Sequence, residues 1–148
     1  DCAQISYSRY LGCRESFEAH GLTLDDSWAE ACRYSMAEGY AAAGRLLDRT
    51  EGLTALFALS DVMAIGAIRC LRDRGLRVPE DISVVGFDGV ALGEYCVPRL
   101  TTVRQDTRSM VHRAAEILLS RLTEELPPVH ETIPFTLIPG ESAGPSPI

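Results

Sequence analysis

The chain has 148 residues, of which 46% are hydrophobic and 24% charged, a balance typical of a globular domain with its own core. Its 14 basic and 21 acidic residues give a net charge of −7, so we expect these residues to repel a phosphate backbone and not to bind nucleic acid themselves. No apolar stretch reaches the roughly 18 residues of a membrane span, and no leader precedes the first helix; we therefore expect a cytoplasmic piece of a longer protein.

The cysteines and histidines show neither a metal-binding nor a disulfide pattern. The five cysteines include no C-x-x-C pair, and the three histidines lie far apart in sequence. These residues are Cys2, Cys13, Cys32, Cys70, Cys96, His20, His112 and His130. We expect reduced thiols, no zinc site and no cofactor.

The first part of the chain predicts two helices on either side of a short strand. Residues 7–20 have helical apolar spacing and are followed by Gly21, a typical helix stop. Residues 30–34 (EACRY) suggest a short strand, and residues 38–49 place apolar side chains on one helical face.

The middle of the chain predicts a strand, a helix and a second strand. The run TALFAL at 54–59 is continuously apolar, and a helix follows over 61–74, ended by Gly75 and Pro79. The run ISVVGF at 82–87 is apolar and rich in β-branched residues, which predicts a buried strand.

The last part predicts a strand, a helix, a strand and a tail. LTTVR at 100–104 suggests a short strand, and residues 107–122 have the clearest amphipathic helical pattern in the chain. TIPFTLI at 132–138 reads as an edge strand because of Pro134. The Gly/Pro/Ser-rich residues 139–148 predict a flexible tail.

These elements together predict the fold class. Apolar strands alternating with helices indicate an open, doubly wound α/β layer: a parallel sheet with helices on both faces. Ligands of such sheets bind beyond the carboxyl ends of the strands. Two junctions, Ser60-Asp61 and Phe87-Asp88, lie at such ends.

One short motif suggests a hydrolase. Residues 140–144 match the G-x-S-x-G spacing of a nucleophile elbow, which works only between a buried strand and a helix. Pro145 and Pro147 prevent a helix there, and no histidine follows Ser142. We therefore keep an α/β hydrolase only as a minor alternative.

Four side chains are candidates for a binding site, and each has an ordinary structural explanation. Asp61 either caps its helix, a role worth about 0.5–2 kcal/mol, or faces a ligand, and Ser60 is equally able to cap. Arg9, near a helix start, is a solvated surface arginine, or it faces an anionic group or a polar ligand. Tyr34 is a core tyrosine or a platform for a sugar, and Gln105 is an exposed amide or a polar contact.

Several segments, taken together, resemble the effector-binding core of the LacI/GalR family of bacterial transcription regulators. The most specific is GLRVPEDISVVGFDG at 75–89, preceded by SDVMAIGAIRCLRDR at 60–74. PRLTTVRQD at 98–106, SYSRYLGCRESFEAHG at 6–21 and EGYAAAGRLL at 38–47 occur in the family's order. The resemblance extends over about residues 6–138.

The resemblance implies a periplasmic-binding-protein-like core of two lobes with a small effector, often a sugar, between them. It implies a homodimer that is not an enzyme, with DNA bound only through a helix-turn-helix domain absent from this chain. Asp61 and Arg9 match residues that contact the effector in the family. Tyr34 matches an aromatic that stacks on it, and Gln105 matches a glutamine that reaches it from the second lobe.

The resemblance also divides the chain. It implies that residues 1–97 form the C-terminal lobe, that 98–126 return as a strand and helix to the N-terminal lobe, and that 127–138 form a strand of the C-terminal lobe. The tail is 139–148.

The chain departs from the family at two places, and one other function fits the same fold. Gly89 stands where many relatives carry a second acid, and the ending LIPGES lacks a basic residue before Ser142. The alternative function is the sugar-binding component of an importer, which would have an export leader and no helix-turn-helix.

Overall fold

A computed structural model describes residues 2–123 and 127–145. In these ranges the chain forms four α-helices and four β-strands. The helices are α1 (Cys2–Ala19), α2 (Met36–Arg49), α3 (Asp61–Asp73) and α4 (Thr107–Thr123), and the strands are β1 (Ala55–Phe57), β2 (Ser83–Asp88), β3 (Thr101–Gln105) and β4 (Phe135–Ile138). Short 3₁₀ helices occur at Asp26–Trp28 and Ala91–Glu94.

The strands form one sheet in the order β1-β2-β3-β4. β1 and β2 are parallel, as are β2 and β3, whereas β4 runs antiparallel to β3 at the edge. The predicted α/β fold is confirmed; the sheet was predicted to be parallel, and it is so except for the antiparallel edge strand β4. The carboxyl ends of β1, β2 and β3 meet at one edge, which is where the candidate ligand-binding residues were expected.

The strand predicted at 30–34 does not form; this segment belongs to no strand of the sheet. It is tied instead to α2 by charged side chains. Arg45 and Arg49 both pair with Glu30, and the Arg49 guanidinium donates to the Ala29 carbonyl at 2.6 Å. These bonds hold the start of the segment against α2 without a neighbouring strand.

The end of α1 confirms the predicted glycine cap. Gly21 has a φ of 71°, in the left-handed region that glycine adopts at low cost. The Leu22 N–H donates to the Phe17 carbonyl at 2.9 Å and the Gly21 N–H donates to the Glu18 carbonyl at 3.0 Å. This pair of bonds is a Schellman motif, which satisfies carbonyls that the helix end leaves free.

The core lies between α3 and the sheet. The apolar face of α3 packs on β2 and on the residues that flank β2 and β3, and each fully buried Leu or Ile contributes about 1.5–3 kcal/mol. The buried members are Ala64, Ile68, Leu71, Ile82, Val84 and Leu100. The helical spacing of α3 places Ile68 and Leu71 on this same face.

Two glycines set the close packing of α2 on α3. A Cβ added to Gly39 would overlap the backbone of Met63, and one added to Gly66 would overlap the carbonyl of Met36. The two helix backbones therefore touch at these points, and a larger residue would separate the helices.

The apolar stripe of α4 forms as predicted but is not covered. Val111, Leu118 and Leu122 are 70%, 64% and 74% exposed. The amphipathic pattern thus predicted the helix correctly, but the stripe does not pack into the core.

The predicted flexible tail is wrong for residues 140–144, and residues 146–148 lie outside the described ranges. Ser142 is fully buried. Its hydroxyl donates to the Val84 carbonyl at 2.6 Å and accepts from the Thr101 N–H at 2.9 Å, while the Val84 N–H donates to the Ser142 carbonyl at 2.7 Å. The tail docks because it satisfies backbone groups where β2 and β3 begin.

Gly66→Ala tests the contact between α2 and α3. We expect it to lower the free energy of unfolding by about 1–3 kcal/mol, because a backbone overlap outweighs the better helix propensity of alanine. The control is Gly12→Ala in α1, where no atom lies within 4 Å of the added Cβ and where we expect a gain of up to about 1 kcal/mol. Urea unfolding of both variants measures this, and equal effects would contradict the account of the crossing.

Candidate functional site

Two of the predicted polar side chains, Arg9 and Gln105, meet at the carboxyl edge of the sheet, and Asp88 at the end of β2 joins them. Asp88 Oδ1 accepts from Arg9 Nη2 at 3.0 Å and from Gln105 Nε2 at 2.9 Å. Arg9 Nη1 also donates to the Leu59 carbonyl, just beyond β1, at 2.5 Å. The site is therefore built from α1, β2, β3 and the end of β1.

Contacts with Leu59, Asp88 and Phe87 fix the position of the Arg9 side chain. Its guanidinium lies 4.0 Å from the ring centroid of Phe87, and its side chain is only 15% exposed. Stacking on an aromatic face and pairing with a carboxylate both fix the planar fork. The Arg9 charge is balanced by Asp88, whose side chain is 28% exposed.

The backbone at Asp88 is in an unusual conformation. Asp88 has a φ of 114° and Gly89 has a φ of 75°. A non-glycine residue in this region costs about 1–3 kcal/mol, and such strain is typical of binding sites. A Cβ on Gly89 would also overlap Arg104, so a residue with a side chain at this position would require the structure to shift.

Asp61 lies behind this cluster and does not face the surface. It is fully buried; its Oδ1 accepts from Thr102 Oγ1 at 2.6 Å, and its Oδ2 accepts from the Val90 N–H at 2.7 Å. Burial raises the pKa of Asp61 above its usual range, while the bonds from Thr102, Val90 and Gly89 act to lower it.

This geometry corrects the two interpretations weighed for Asp61. Its carboxylate is directed at β3 and at the loop after β2, so it has no surface on which to touch a ligand, and it does not cap its own helix. Ser60, the residue at the cap position of α3, makes no side-chain capping bond either. Asp61 instead connects α3 to the structure beneath Asp88.

The Tyr34 hydroxyl bonds to α1 and not to the cluster around Asp88. Its hydroxyl is 2.9 Å from Ser6 Oγ, and the residue is 37% exposed. It stands on the wall of a large apolar groove of about 1030 Å³ between α1, α2 and β1. The groove has Tyr10, Phe17 and Leu56 among its walls.

The groove is not the better candidate for the functional site. Specific small-molecule pockets combine apolar walls with a few converging polar groups. Arg9, Asp88 and Gln105 are not part of its lining. The converging polar groups are those at the carboxyl edge of the sheet, and we assign the candidate site there.

Two other chemistries find no support. The G-x-S-x-G hydroxyl of Ser142 is buried in a hydrogen bond to Val84, so it is not presented as a nucleophile. Within residues 2–123 and 127–145, no three His, Cys, Asp or Glu side chains are grouped to hold a metal ion.

No helix in these ranges has the length and apolarity of a membrane span.

The sequence indicated Arg9 and Gln105 but not Asp88 as site residues. The signal was present, because Phe87-Asp88 was recognised as a strand end equivalent to Ser60-Asp61. Only the packing shows which of the two carboxylates faces outward.

The chain and its fold are similar to known proteins. A family described as periplasmic binding protein-like domain matches residues 2–143. The HTH-type transcriptional repressor PurR of Haemophilus influenzae (strain PittEE) is 40% identical over 118 residues, which are 80% of this chain and 35% of the relative.

Two solved structures are also similar. The transcriptional regulator CelR in complex with cellobiose is 38% identical, with a TM-score of 0.87, over 91% of this chain and 42% of that protein. A LacI family transcriptional regulator from Enterococcus faecium with bound ribose is 32% identical, with a TM-score of 0.69, over 77% of this chain and 42% of that protein. The chain thus spans less than half the length of each of these proteins.

Ser142→Ala separates a structural role from a hydrolytic one. Loss of the hydroxyl leaves the Thr101 N–H and the Val84 carbonyl without their partner, so we expect the free energy of unfolding to fall by about 1–3 kcal/mol. Ser16→Ala, at an exposed position of α1, should have little effect. The structural role would be contradicted if the unmodified protein hydrolysed a p-nitrophenyl ester and Ser142→Ala lost this activity with no change in the free energy of unfolding.

Proposed function

The chain belongs to the LacI family of transcriptional regulators, as part of their periplasmic-binding-protein-like domain, and on this premise we propose that it senses a small, neutral, sugar-like effector. The family's members are regulators and not enzymes, which agrees with the prediction for this chain. In the complete protein, the effector would control the binding of DNA by a helix-turn-helix domain outside these residues.

The cluster of Arg9, Asp88 and Gln105 carries the proposal. Its two charges are paired and cancel, so the cluster has no net charge that would favour an anionic or a cationic ligand. The second oxygen of the Asp88 carboxylate accepts hydrogen bonds, and the Gln105 amide both accepts and donates them. Hydroxyl groups of a neutral polyol fulfil both requirements.

The position of the cluster supports the same class of ligand. It lies beyond the carboxyl ends of parallel strands, where open α/β sheets bind their ligands. Structurally similar regulators were solved with cellobiose and with ribose bound. The exposed ring of Tyr34 is available to stack on a sugar, as the resemblance implies, and this contact remains part of the proposal.

The opposite wall of the cleft would come from a second lobe. Because the chain spans only 42% of the two similar structures, we propose that residues outside it close over the site. The resemblance assigns residues 98–126 to that second lobe, but β3 within them pairs with β2 and β4 in the sheet described above. We therefore propose that only the segment after β3, whose helix α4 exposes an apolar stripe, leads to the second lobe, and that residues 2–105 and 127–138 belong to the lobe described above.

Regulation would follow from the closure of the two lobes. An effector shifts an equilibrium only as far as its affinities for the two states differ. We propose that closure turns the lobes within a homodimer and alters the spacing of its DNA-binding heads. A protein acting on DNA in this way would work in the cytoplasm.

An importer component of the same fold is the second candidate. Its motivation is the shared architecture alone, whereas the similar proteins named above are transcriptional regulators. Sequencing the coding region upstream of Asp1 distinguishes the two candidates. A helix-turn-helix there supports the regulator, and an export leader supports the importer.

Arg9→Ala and Asp88→Ala in the full-length protein test the proposed site. A panel of sugars that includes cellobiose and ribose first identifies the sugar that binds the unmodified protein. We expect each change to lower the affinity for that sugar by about 100-fold, since a buried charged partner is lost. Isothermal titration measures affinity, and operator binding without sugar reports correct folding.

Arg69→Ala is the matched control. This arginine pairs with Asp73 on the exposed side of α3, and its side chain is 73% exposed. Its removal should leave sugar affinity unchanged. Normal sugar affinity in both Arg9→Ala and Asp88→Ala would refute the assignment of the site.

A further inference from the structure

We propose that Asp61 is the positioning residue of this site: by holding the backbone after Asp88 it fixes the carboxylate that binds the effector, and it makes effector affinity dependent on pH. The inference rests on the proposed function, because it concerns the same carboxylate. Asp61 itself would touch no effector.

The first step is the connection that Asp61 makes. It is the first residue of α3, and its two oxygens accept from two different elements. One bond comes from Thr102 on β3 at 2.6 Å, and the other from the Val90 N–H, two residues beyond Asp88, at 2.7 Å. A single carboxylate thus ties the loop after β2 to the interior of the domain.

The second step is the space that this carboxylate occupies. A Cβ on Gly86, in the middle of β2, would overlap Asp61 Oδ1. Glycine in a strand interior weakens the strand and marks a place where another group approaches closely. Here that group is the Asp61 carboxylate, so the sheet has a position adapted to it.

The third step is the strained backbone that needs support. The φ of 114° at Asp88 persists only if its surroundings hold it there. Arg9 and Gln105 hold its side chain, and Asp61 holds the chain two residues later. If the bond to Val90 is lost, Asp88 can relax toward an ordinary extended conformation and its carboxylate leaves the site.

The fourth step is protonation. Burial raises the pKa of Asp61, and the nearby charge of Asp88 raises it further. The charge of Asp61 in turn contributes to raising the pKa of Cys96, in the loop after β2. A protonated carboxyl has lost acceptor capacity at one oxygen, so acidification through this raised pKa weakens the hold on Val90 or Thr102.

The direction of the effect follows. Effector affinity is highest where Asp61 is ionised, and it falls as the pH is lowered through the pKa of Asp61. Because that pKa is raised, the fall begins at a higher pH than for an ordinary surface aspartate. The expected loss is about tenfold, which corresponds to one hydrogen bond of about 1.4 kcal/mol.

Three substitutions in the full-length protein separate positioning from mere stability. Asp61→Asn keeps the shape of the side chain and an oxygen that accepts from the Val90 N–H, and the Thr102 hydroxyl can turn to accept from the new amide. We therefore expect near-normal sugar affinity at neutral pH, without the loss of affinity on acidification. Thr102→Val removes a donor that lowers the pKa of Asp61, so the loss should begin at a higher pH. Thr102→Ser restores the hydroxyl and should restore the normal profile.

Two measurements are made on each protein. Titration with cellobiose and with ribose across the acid range gives the affinity profile. Hydrogen exchange of the peptide containing Gly89 and Val90, without sugar, reports the hold on the loop; comparison at equal pH removes the intrinsic pH dependence of exchange. We expect acid to speed this exchange in the unmodified protein relative to Asp61→Asn.

The outcomes distinguish this inference from the proposed function. Equal exchange of Gly89 and Val90 in the unmodified protein and Asp61→Asn at every pH overturns the inference, whatever sugar binds. The inference is also overturned if hydrogen exchange of Gly89 and Val90 depends on the protonation of Asp61 while sugar affinity does not. In that case the loop would not position the site. Failure of the proposed function appears separately, as normal sugar affinity in both Arg9→Ala and Asp88→Ala.

Discussion

The carboxylate of Asp88 accepts hydrogen bonds from Arg9 and Gln105, which lie far from it and from each other in sequence. Through this one group, α1 is joined to the ends of β2 and β3. The arrangement requires a left-handed backbone at Asp88, which is costly for a non-glycine residue. The rest of the site follows from how the fold maintains that conformation.

Two layers of polar contacts surround Asp88. The outer layer consists of Arg9 and Gln105, which are partly exposed and retain hydrogen-bonding capacity for a ligand. The inner layer is the buried Asp61, which holds Val90 and Thr102. A site that must bind tightly needs its contacting groups fixed by a second set of interactions, and the two aspartates divide these tasks.

The sequence predicted most of the elements because their signals are local. The apolar runs predicted β1 and β2, the glycine at 21 predicted the end of α1, and the amphipathic spacing predicted α4. Three features could not be predicted because they depend on packing between distant segments. The docked tail depends on the open backbone groups near Val84 and Thr101, and the missing strand at 30–34 depends on α2. Asp88 is the acid that faces outward. The absence of a side chain at Gly86 leaves room for the Asp61 carboxylate inside the domain.

The central claim is that a neutral sugar binds against Asp88 and Arg9. A crystal structure of the full-length protein grown with the sugar that it binds tests this most directly. The account predicts sugar hydroxyls within about 3 Å of the Asp88 carboxylate and the Arg9 guanidinium, with Asp61 still buried behind them. A sugar seated in the apolar groove beside β1, with the bonds among Arg9, Asp88 and Gln105 unchanged and no ligand near them, would contradict it.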